Sequence, residues 1–367
     1  MSRVRIALIG LGFGAEFIPI YQRHPDAELI AICQRDPARL DAIGNAFGVD
    51  RRYTSYEELL ADPDVDAVHL NTPIPVHAEQ TLAGLAAGKH VACTVPMATS
   101  VEDCRRIVVA AAEARRNYMM METVVFSREF LYVDELHRSG ELGRIQFLRG
   151  AHQQEMAGWP GYWEGLPPMH YATHAVSPLL ALAGGRPESV VCQGSGRIAD
   201  DLAGRYGSPF AVESALIKIA DTELAAEATR SLFETAREYV ESFAVYADRA
   251  SFEWGQTQAD QPVLFRGELP ERVEVPDYAD RLPEEIRSYT TRGVYDDEHA
   301  HLSFTQGSGH GGSHPHLAHE FVRSIVEQRA PGVDAVTAAR WTSVGLCAHE
   351  SAIRGGERVV VPSFDPG

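Results

Sequence analysis

Basic residues are scarce in this chain: 33 lysines and arginines stand against 51 aspartates and glutamates, a formal net charge of −18. Nucleic acid and anionic membrane surfaces both select basic patches, so the imbalance argues against either partner and favours a small-molecule ligand. The five cysteines, Cys33, Cys93, Cys104, Cys192 and Cys347, are odd in number and form no CxxC pair. That excludes a disulfide framework and a thiolate zinc site, and leaves reduced, buried thiols. No apolar run reaches the roughly 18 residues of a membrane span. Met1 and Ser2 lead directly into the apolar run Val4–Ile9, with no room for an export signal, so a cytoplasmic location is expected. No internal repeat is visible.

What is present is a globular composition, 45% apolar and 23% charged over 367 residues, a length that suits two domains. The first 120 or so residues alternate short apolar runs with helical patterns. Val4–Ile9, Glu28–Cys33, Ala67–Asn71, His90–Thr94 and Tyr118–Glu122 read as strands, and Tyr56–Leu60, His77–Ala87 and Val101–Ala114 as helices. Such alternation predicts a doubly wound parallel sheet, a Rossmann domain over residues 1–123. After a helix around Phe126–Ser139 the strands follow one another without crossover helices, near Ile145–His152, Ser189–Gly194, Ala211–Ala220, Ala225–Thr229 and Phe243–Ala247. This predicts an α+β domain with a mostly antiparallel sheet over residues 124–367, closed by helices at Leu317–Glu327 and Val336–Ile353. The Pro- and acid-rich stretch Asp260–His299 reads as an extended surface loop or an oligomer arm, and a homo-oligomer is expected.

Gly10-Leu11-Gly12-Phe13-Gly14-Ala15 lies between a strand and a helix and reads as G-x-G-x-x-A. The first glycine permits the tight turn, the second lets the backbone reach a pyrophosphate, and Ala15 allows close helix packing, so a dinucleotide is the expected cofactor. At the tip of the second strand an acidic residue would hold the ribose hydroxyls; here stand Gln34 and Arg35. Gln34 still hydrogen-bonds a ribose, while Arg35 either stacks on adenine or meets a 2′-phosphate, so NAD is favoured with NADP as the alternative. Asn71-Thr72-Pro73, with His77 opening the next helix, falls where the nicotinamide half belongs.

The order of the Gly-rich turn, Asn71-Thr72-Pro73-x-x-x-His77, Gly88-Lys89-His90-Val91 and a strand ending in x-x-Pro resembles the glucose–fructose oxidoreductase and inositol dehydrogenase family. That family's Glu-Lys-Pro marker is Thr94-Val95-Pro96 here, so Val95 replaces a proton-handling lysine; Val95 and Pro96 go with the cofactor site. The run Val95-Pro96, Met119-Met120-Met121-Glu122, Tyr162-Trp163, Tyr171-Ala172-Thr173-His174 and Gly309-His310-Gly311-Gly312 is similar to the branch of NAD-dependent α-N-acetylgalactosaminidases and related redox glycosidases. Where that branch carries a catalytic tyrosine in a Gly-Ala-Tyr strand, this chain reads Gly150-Ala151-His152.

The resemblance implies transient oxidation of a sugar at C3, loss of the C2 proton, elimination of the aglycone, addition of water and return of the hydride. Tyr171 and His174 are three apart and face one side of a helical turn. With Val95 inert, His174 is the expected base for the C3 hydroxyl, and Tyr171 or His152 handles the C2 proton. Glu122 orients a sugar hydroxyl or tunes His174. Trp159, Tyr162 and Trp163 form an aromatic wall for the apolar face of a sugar, or core packing. Arg128, Arg230 and Arg237 would meet an anionic sugar, or lie solvated at the surface. His310 is expected to hydrogen-bond a sugar hydroxyl; with His314, His316 and His319 it shows no tetrahedral metal spacing, and no metal is expected. Two other functions fit the sequence: a sugar or glycoside 3-dehydrogenase with net oxidation, and a non-catalytic sugar and nucleotide sensor.

Overall fold

The structure, a computed structural model, describes residues 3–159, 161, 166–257, 260–291 and 309–364. Six short strands, β1 (Val4–Ile9), β2 (Ala27–Cys33), β3 (Arg52–Tyr53), β4 (Ala67–Leu70), β5 (His90–Thr94) and β6 (Tyr118–Met121), form one parallel sheet in the order β3-β2-β1-β4-β5-β6. Strands β1, β4, β5 and β6 are nearly continuous apolar runs because helices cover both faces of such a sheet. Those helices are α1 (Ile18–Arg23), α2 (Pro37–Phe47), α3 (Tyr56–Leu60), α4 (His77–Ala86) and α5 (Val101–Ala114). Helix α2 escaped the sequence reading although its caps are explicit: the Asp36 carboxylate accepts from the Ala38 and Arg39 N–H groups, and Gly48 closes it at φ 64°. Strand order reverses between β1 and β4, so the turns after these two strands open at one carboxyl end, the position where open α/β sheets hold ligands.

The chain goes on through α6 (Arg128–Arg138), β7 (Ile145–Gln153), α7 (Thr173–Ala183), β8 (Pro187–Ser195), α8 (Asp200–Tyr206), β9 (Val212–Ile219), β10 (Ala225–Ser231), β11 (Val240–Ala247), β12 (Ser251–Glu253), β13 (Val263–Phe265) and β14 (Pro270–Arg272). It then forms α9 (Gly309–Val326), α10 (Ala335–Ile353) and β15 (Val359–Val360). The second sheet runs β14-β13-β12-β11-β7-β10-β9-β8-β15 and is antiparallel except for the pair β7 and β10. Helix α7 is apolar almost all round and packs on β7, β10 and β11. Its closeness to β7 rests on Gly150, where a Cβ would overlap the carbonyl oxygen of Ala175.

Two compact units emerge: Met1–Ala98, Glu102–Ser127 and Asp277–Ala338 form one, and Thr99–Val101, Arg128–Pro276 and Ala339–Gly367 the other. The expected division at 123/124 did not foresee the return of Asp277–Ala338 to the first unit. The reason is apolar burial. Leu282, Ile286, Tyr289, Leu317 and Phe321 share one core with Ile6, Leu8 and Ile32, and each such side chain contributes about 1.5–3 kcal/mol. The stretch expected as an extended loop accordingly carries β13, β14 and 3₁₀ turns at Ala279–Arg281 and Glu284–Thr290, while 292–299 lie outside the described residues.

Candidate active site

In the first unit, Gly10 leaves β1 at φ 83°, and a Cβ there would overlap the Asn71 carbonyl group. Gly14 is pressed against the Asn71 side chain, whose Cβ stands 2.9 Å from where a Gly14 Cβ would be. Gly12 is different: among the described residues, nothing beyond its chain neighbours lies within 4 Å of a Cβ built on it. That gap is the cradle a pyrophosphate needs in order to reach the backbone. Phe13 closes the turn through an edge-on contact with Phe17, centroids 5.8 Å apart. The turn continues as 3₁₀ helix over Gly14–Phe17, and α1 starts only at Ile18, with Pro19 in its first turn.

The Asn71 N–H donates to Ile9 O at 2.7 Å, locking the end of β4 to the end of β1, and the Asn71 Oδ1 is a buried acceptor that no donor among the described residues satisfies. A carboxamide or ribose hydroxyl of a dinucleotide supplies such a donor, so glycine turn and asparagine together fit the cofactor. His77 is fully buried. Its Nδ1 lies 2.8 Å from Pro96 O and its Nε2 2.8 Å from Thr72 O, so it ties the loop after β4 to the loop after β5, where Val95 and Pro96 are buried. Burial pulls its pKa down, against the two carbonyls that favour the proton. Thr72 Oγ1 donates to Gln80 Oε1 at 2.5 Å, and Pro73 leads into a 3₁₀ turn. At the tip of β2, Gln34 is half-buried with its N–H on Tyr53 O at 3.1 Å, and Arg35 is exposed. Asp36 serves as the α2 cap. Glu122, fully buried after β6, accepts the Val124 N–H at 3.1 Å.

In the second unit, Tyr171 ends a 3₁₀ turn (Pro168–Tyr171) and His174 stands in the first turn of α7, so the expected pair sits on two consecutive helical turns of different pitch. They still meet: Tyr171 Oη lies 3.2 Å from His174 Nε2. The same nitrogen is 3.4 Å from Glu241 Oε1. The Tyr239 hydroxyl donates to Glu241 Oε1, and burial, followed by the Glu241 charge, pushes this phenol well above its usual range, so it stays protonated. His152 on β7 stands 5.0 Å from His174, 5.6 Å from Tyr171 and 5.1 Å from Tyr239, ring centroid to centroid. The structure thus brings His152, Tyr171 and His174 together.

Beneath them lies Arg230, fully buried and neither solvated nor aimed at an anionic sugar. Its Nε donates to Tyr171 O and its Nη1 to His152 O, each at 3.0 Å, its Nη2 to Gln154 Oε1 at 2.9 Å, and Nη1 also to Ser231 O. Burial lowers its pKa to about 10, which leaves it charged near neutrality. The guanidinium fixes the main chain at two of the four expected catalytic positions, Tyr171 and His152.

Sequence reasoning missed Tyr239, Glu241 and the role of Arg230. Glu241 lies in β11 and Tyr239 immediately before it, two residues apart, so extending the expected strand from Phe243 back by four residues would have put both on the face of His152, whose register partner is Glu241. Glu129, in the first turn of α6, was also unforeseen. Burial, and then the charge of Glu241, raises its pKa to about 7.

The remaining expectations separate. His310 lies in the first unit, with its Nδ1 3.1 Å from His314 Nε2 and its ring 5.6 Å from that of Phe13. Trp159 is half-buried in the second unit; Tyr162 and Trp163 lie outside the described residues. His319 pairs with His24, Nδ1 to Nε2 at 2.9 Å. Among the described residues no helix is long and apolar enough to cross a membrane.

Residues 4–122 match the family described as an oxidoreductase family with an NAD-binding Rossmann fold. An uncharacterized oxidoreductase of Rhizobium meliloti is 31% identical over 152 residues, 41% of this chain and 46% of the relative. A protein of Shewanella baltica named a glycosyl hydrolase family 109 protein is 32% identical over 201 residues, 49% of this chain and 44% of the relative. The matched stretches therefore span just under half the length of these relatives. A levoglucosan dehydrogenase solved with NADH has the same fold, with a TM-score of 0.79 over 98% of this chain and 100% of the other at 18% identity. Over residues 4–122, about a third of its length, the chain is thus similar to the oxidoreductase family with an NAD-binding Rossmann fold, the resemblance that its motifs carry.

Proposed function

We propose that the protein is an NAD-dependent glycosidase that cleaves a sugar glycoside by transient oxidation at C3, elimination and re-reduction. Bound NAD⁺ supplies the hydride acceptor and later the donor. Gly10, Gly12, Phe13, Gly14, Gln34, Arg35 and Asn71 hold it, and His77 keeps the Thr72–Pro73 and Val95–Pro96 loops in register. The single observation that carries the reading is the side-by-side placement of His174 and His152. A dehydrogenase needs one proton acceptor, for the C3 hydroxyl; elimination needs a second, for the C2 proton. His174, backed by the Glu241 carboxylate, takes the hydroxyl proton, and the imidazolium it becomes is stabilised by that charge. His152, or Tyr171 at the same cluster, takes the C2 proton once the neighbouring carbonyl has made it acidic. The Shewanella relative, named for a glycoside hydrolase family, supports this reading.

The second reading, a sugar dehydrogenase with net oxidation, uses His174 and Glu241 alike and is favoured by the fold shared with levoglucosan dehydrogenase. Incubating the purified protein with a panel of nitrophenyl glycosides and NAD⁺, with absorbance followed for nitrophenol and NADH together, separates the two. Nitrophenol release without NADH accumulation supports the glycosidase. NADH formed in step with oxidised sugar supports the dehydrogenase.

A further inference from the structure

Within the first unit a chain of three side chains runs beneath the glycine turn. Glu16, in the 3₁₀ turn after Gly14, is buried, and its Oε2 lies 3.2 Å from His314 Nδ1. His314 is buried too, and its Nε2 lies 3.1 Å from His310 Nδ1. The Phe13 ring stands edge-on to both imidazoles, at 5.6 Å from His310 and 5.4 Å from His314. Burying a carboxylate and an imidazole costs several kcal/mol unless each is satisfied, so the arrangement is a built one.

The order of partners suits one arrangement of protons. With the His314 proton on Nδ1, the nitrogen that faces the Glu16 carboxylate, the His314 Nε2 is left to accept from His310 Nδ1–H. His310 is thereby held in one ring orientation, half-buried, against the residue between Gly12 and Gly14. The backbone supports the same placement: His310, Gly311 and Gly312 take φ values of 48°, 61° and 79°, so the chain turns left-handed for three residues before the regular part of α9 begins. A histidine held there without a packing or binding reason is uncommon.

We propose that His310, oriented by His314 and Glu16, is a ligand of the dinucleotide's pyrophosphate. The inference rests on the NAD reading of the glycine turn and adds to it a residue from a distant part of the chain. It also reassigns His310, which the sequence alone placed with the sugar. In its protonated form the imidazole donates through both nitrogens, one to His314 and the other to a phosphate oxygen, a charge-assisted bond stronger than a neutral one. Among the described residues, the titratable groups around it are His314 on its own helix, Glu16 from the glycine turn, and, next to His314, His69 of β4 with its partner Tyr21 of α1, whose hydroxyl is 3.0 Å from His69 Nδ1.

The test is a titration of the purified protein with NAD⁺ and with ADP-ribose, which keeps the pyrophosphate and lacks the nicotinamide. The variants are His310→Asn, which tolerates the left-handed backbone, and Glu16→Gln, each with its Tm recorded. His310→Asn should weaken both ligands by about ten- to a hundredfold and equally. Wild-type affinity should fall as pH rises through the imidazole range, because the donating cation is lost, whereas the His310→Asn profile should be flat there. Glu16→Gln should move that pH dependence without abolishing binding. Unchanged NAD⁺ and ADP-ribose affinity in His310→Asn, or a wild-type-like pH profile in it, overturns the proposal while leaving the cofactor reading intact. Wild-type protein that binds neither ligand overturns both. If His310→Asn is unfolded, Glu16→Gln decides: an unmoved pH profile rejects the relay.

Discussion

His174 Nε2 and Glu241 Oε1 face each other at 3.4 Å with both side chains almost wholly buried, and Tyr171 reaches the same nitrogen from the preceding turn. A buried carboxylate beside an imidazole stabilises the imidazolium that proton abstraction creates, which is what a base in a poorly solvated site requires. His174→Ala should lower turnover of any accepted sugar by about 10²–10⁴-fold. NAD⁺ affinity, measured by calorimetry, should not change, because His174 is not among the residues assigned to hold the dinucleotide. Full activity in His174→Ala would remove it from the mechanism.

Gly12→Val tests the cofactor cradle cleanly. Among the described residues, none beyond the chain neighbours lies within 4 Å of the added Cβ, so the fold should persist with an unshifted Tm while NAD⁺ binding is lost. Retained affinity would contradict the assignment of the turn.

Arg230→Met should destabilise strongly. It removes the donor that the His152, Tyr171 and Ser231 carbonyls share, at a cost of about 3–5 kcal/mol for breaking a buried charged network. Denaturant titration measures this. A loss under about 1 kcal/mol would mean that water satisfies those carbonyls equally well.

Glu129 gives a pH signature. Its folded-state pKa, raised by burial and by Glu241 to about 7, lies above the usual carboxyl value of 4.5. The folded state therefore holds a proton that the unfolded chain releases at lower pH. The stability associated with it is complete below about pH 4.5 and is lost as pH rises through 7. Glu129→Gln should flatten the decline in Tm between those values, and an unchanged slope would place the titration elsewhere.

Much of the first unit was legible because parallel strands are written as apolar runs and the glycine turn as a motif. Gly10 and Gly14 are dictated by Asn71, which the sequence also marked. What stayed hidden depends on contacts distant in sequence. The return of Leu282, Ile286 and Phe321 to the Rossmann core has no local signal, since apolar residues do not announce which core they join. The same holds for His310, whose Gly-His-Gly-Gly setting reads as a loop and gains its meaning only beside Phe13. His152, Tyr171 and His174 were marked as candidates chiefly through the family resemblance, but Glu241 and the buried role of Arg230 were not, because a strand's first residues and a buried cation both resemble surface sequence.

The central claim, cleavage through a C3-oxidised intermediate, is tested most directly by isotope exchange. A nitrophenyl glycoside turned over by the enzyme in deuterium oxide should yield free sugar with deuterium at C2 by NMR, with no accumulation of NADH, because the C2 proton is removed and replaced in each turnover. Sugar released with its C2 proton fully retained would contradict the account, since direct displacement at C1 never touches that position.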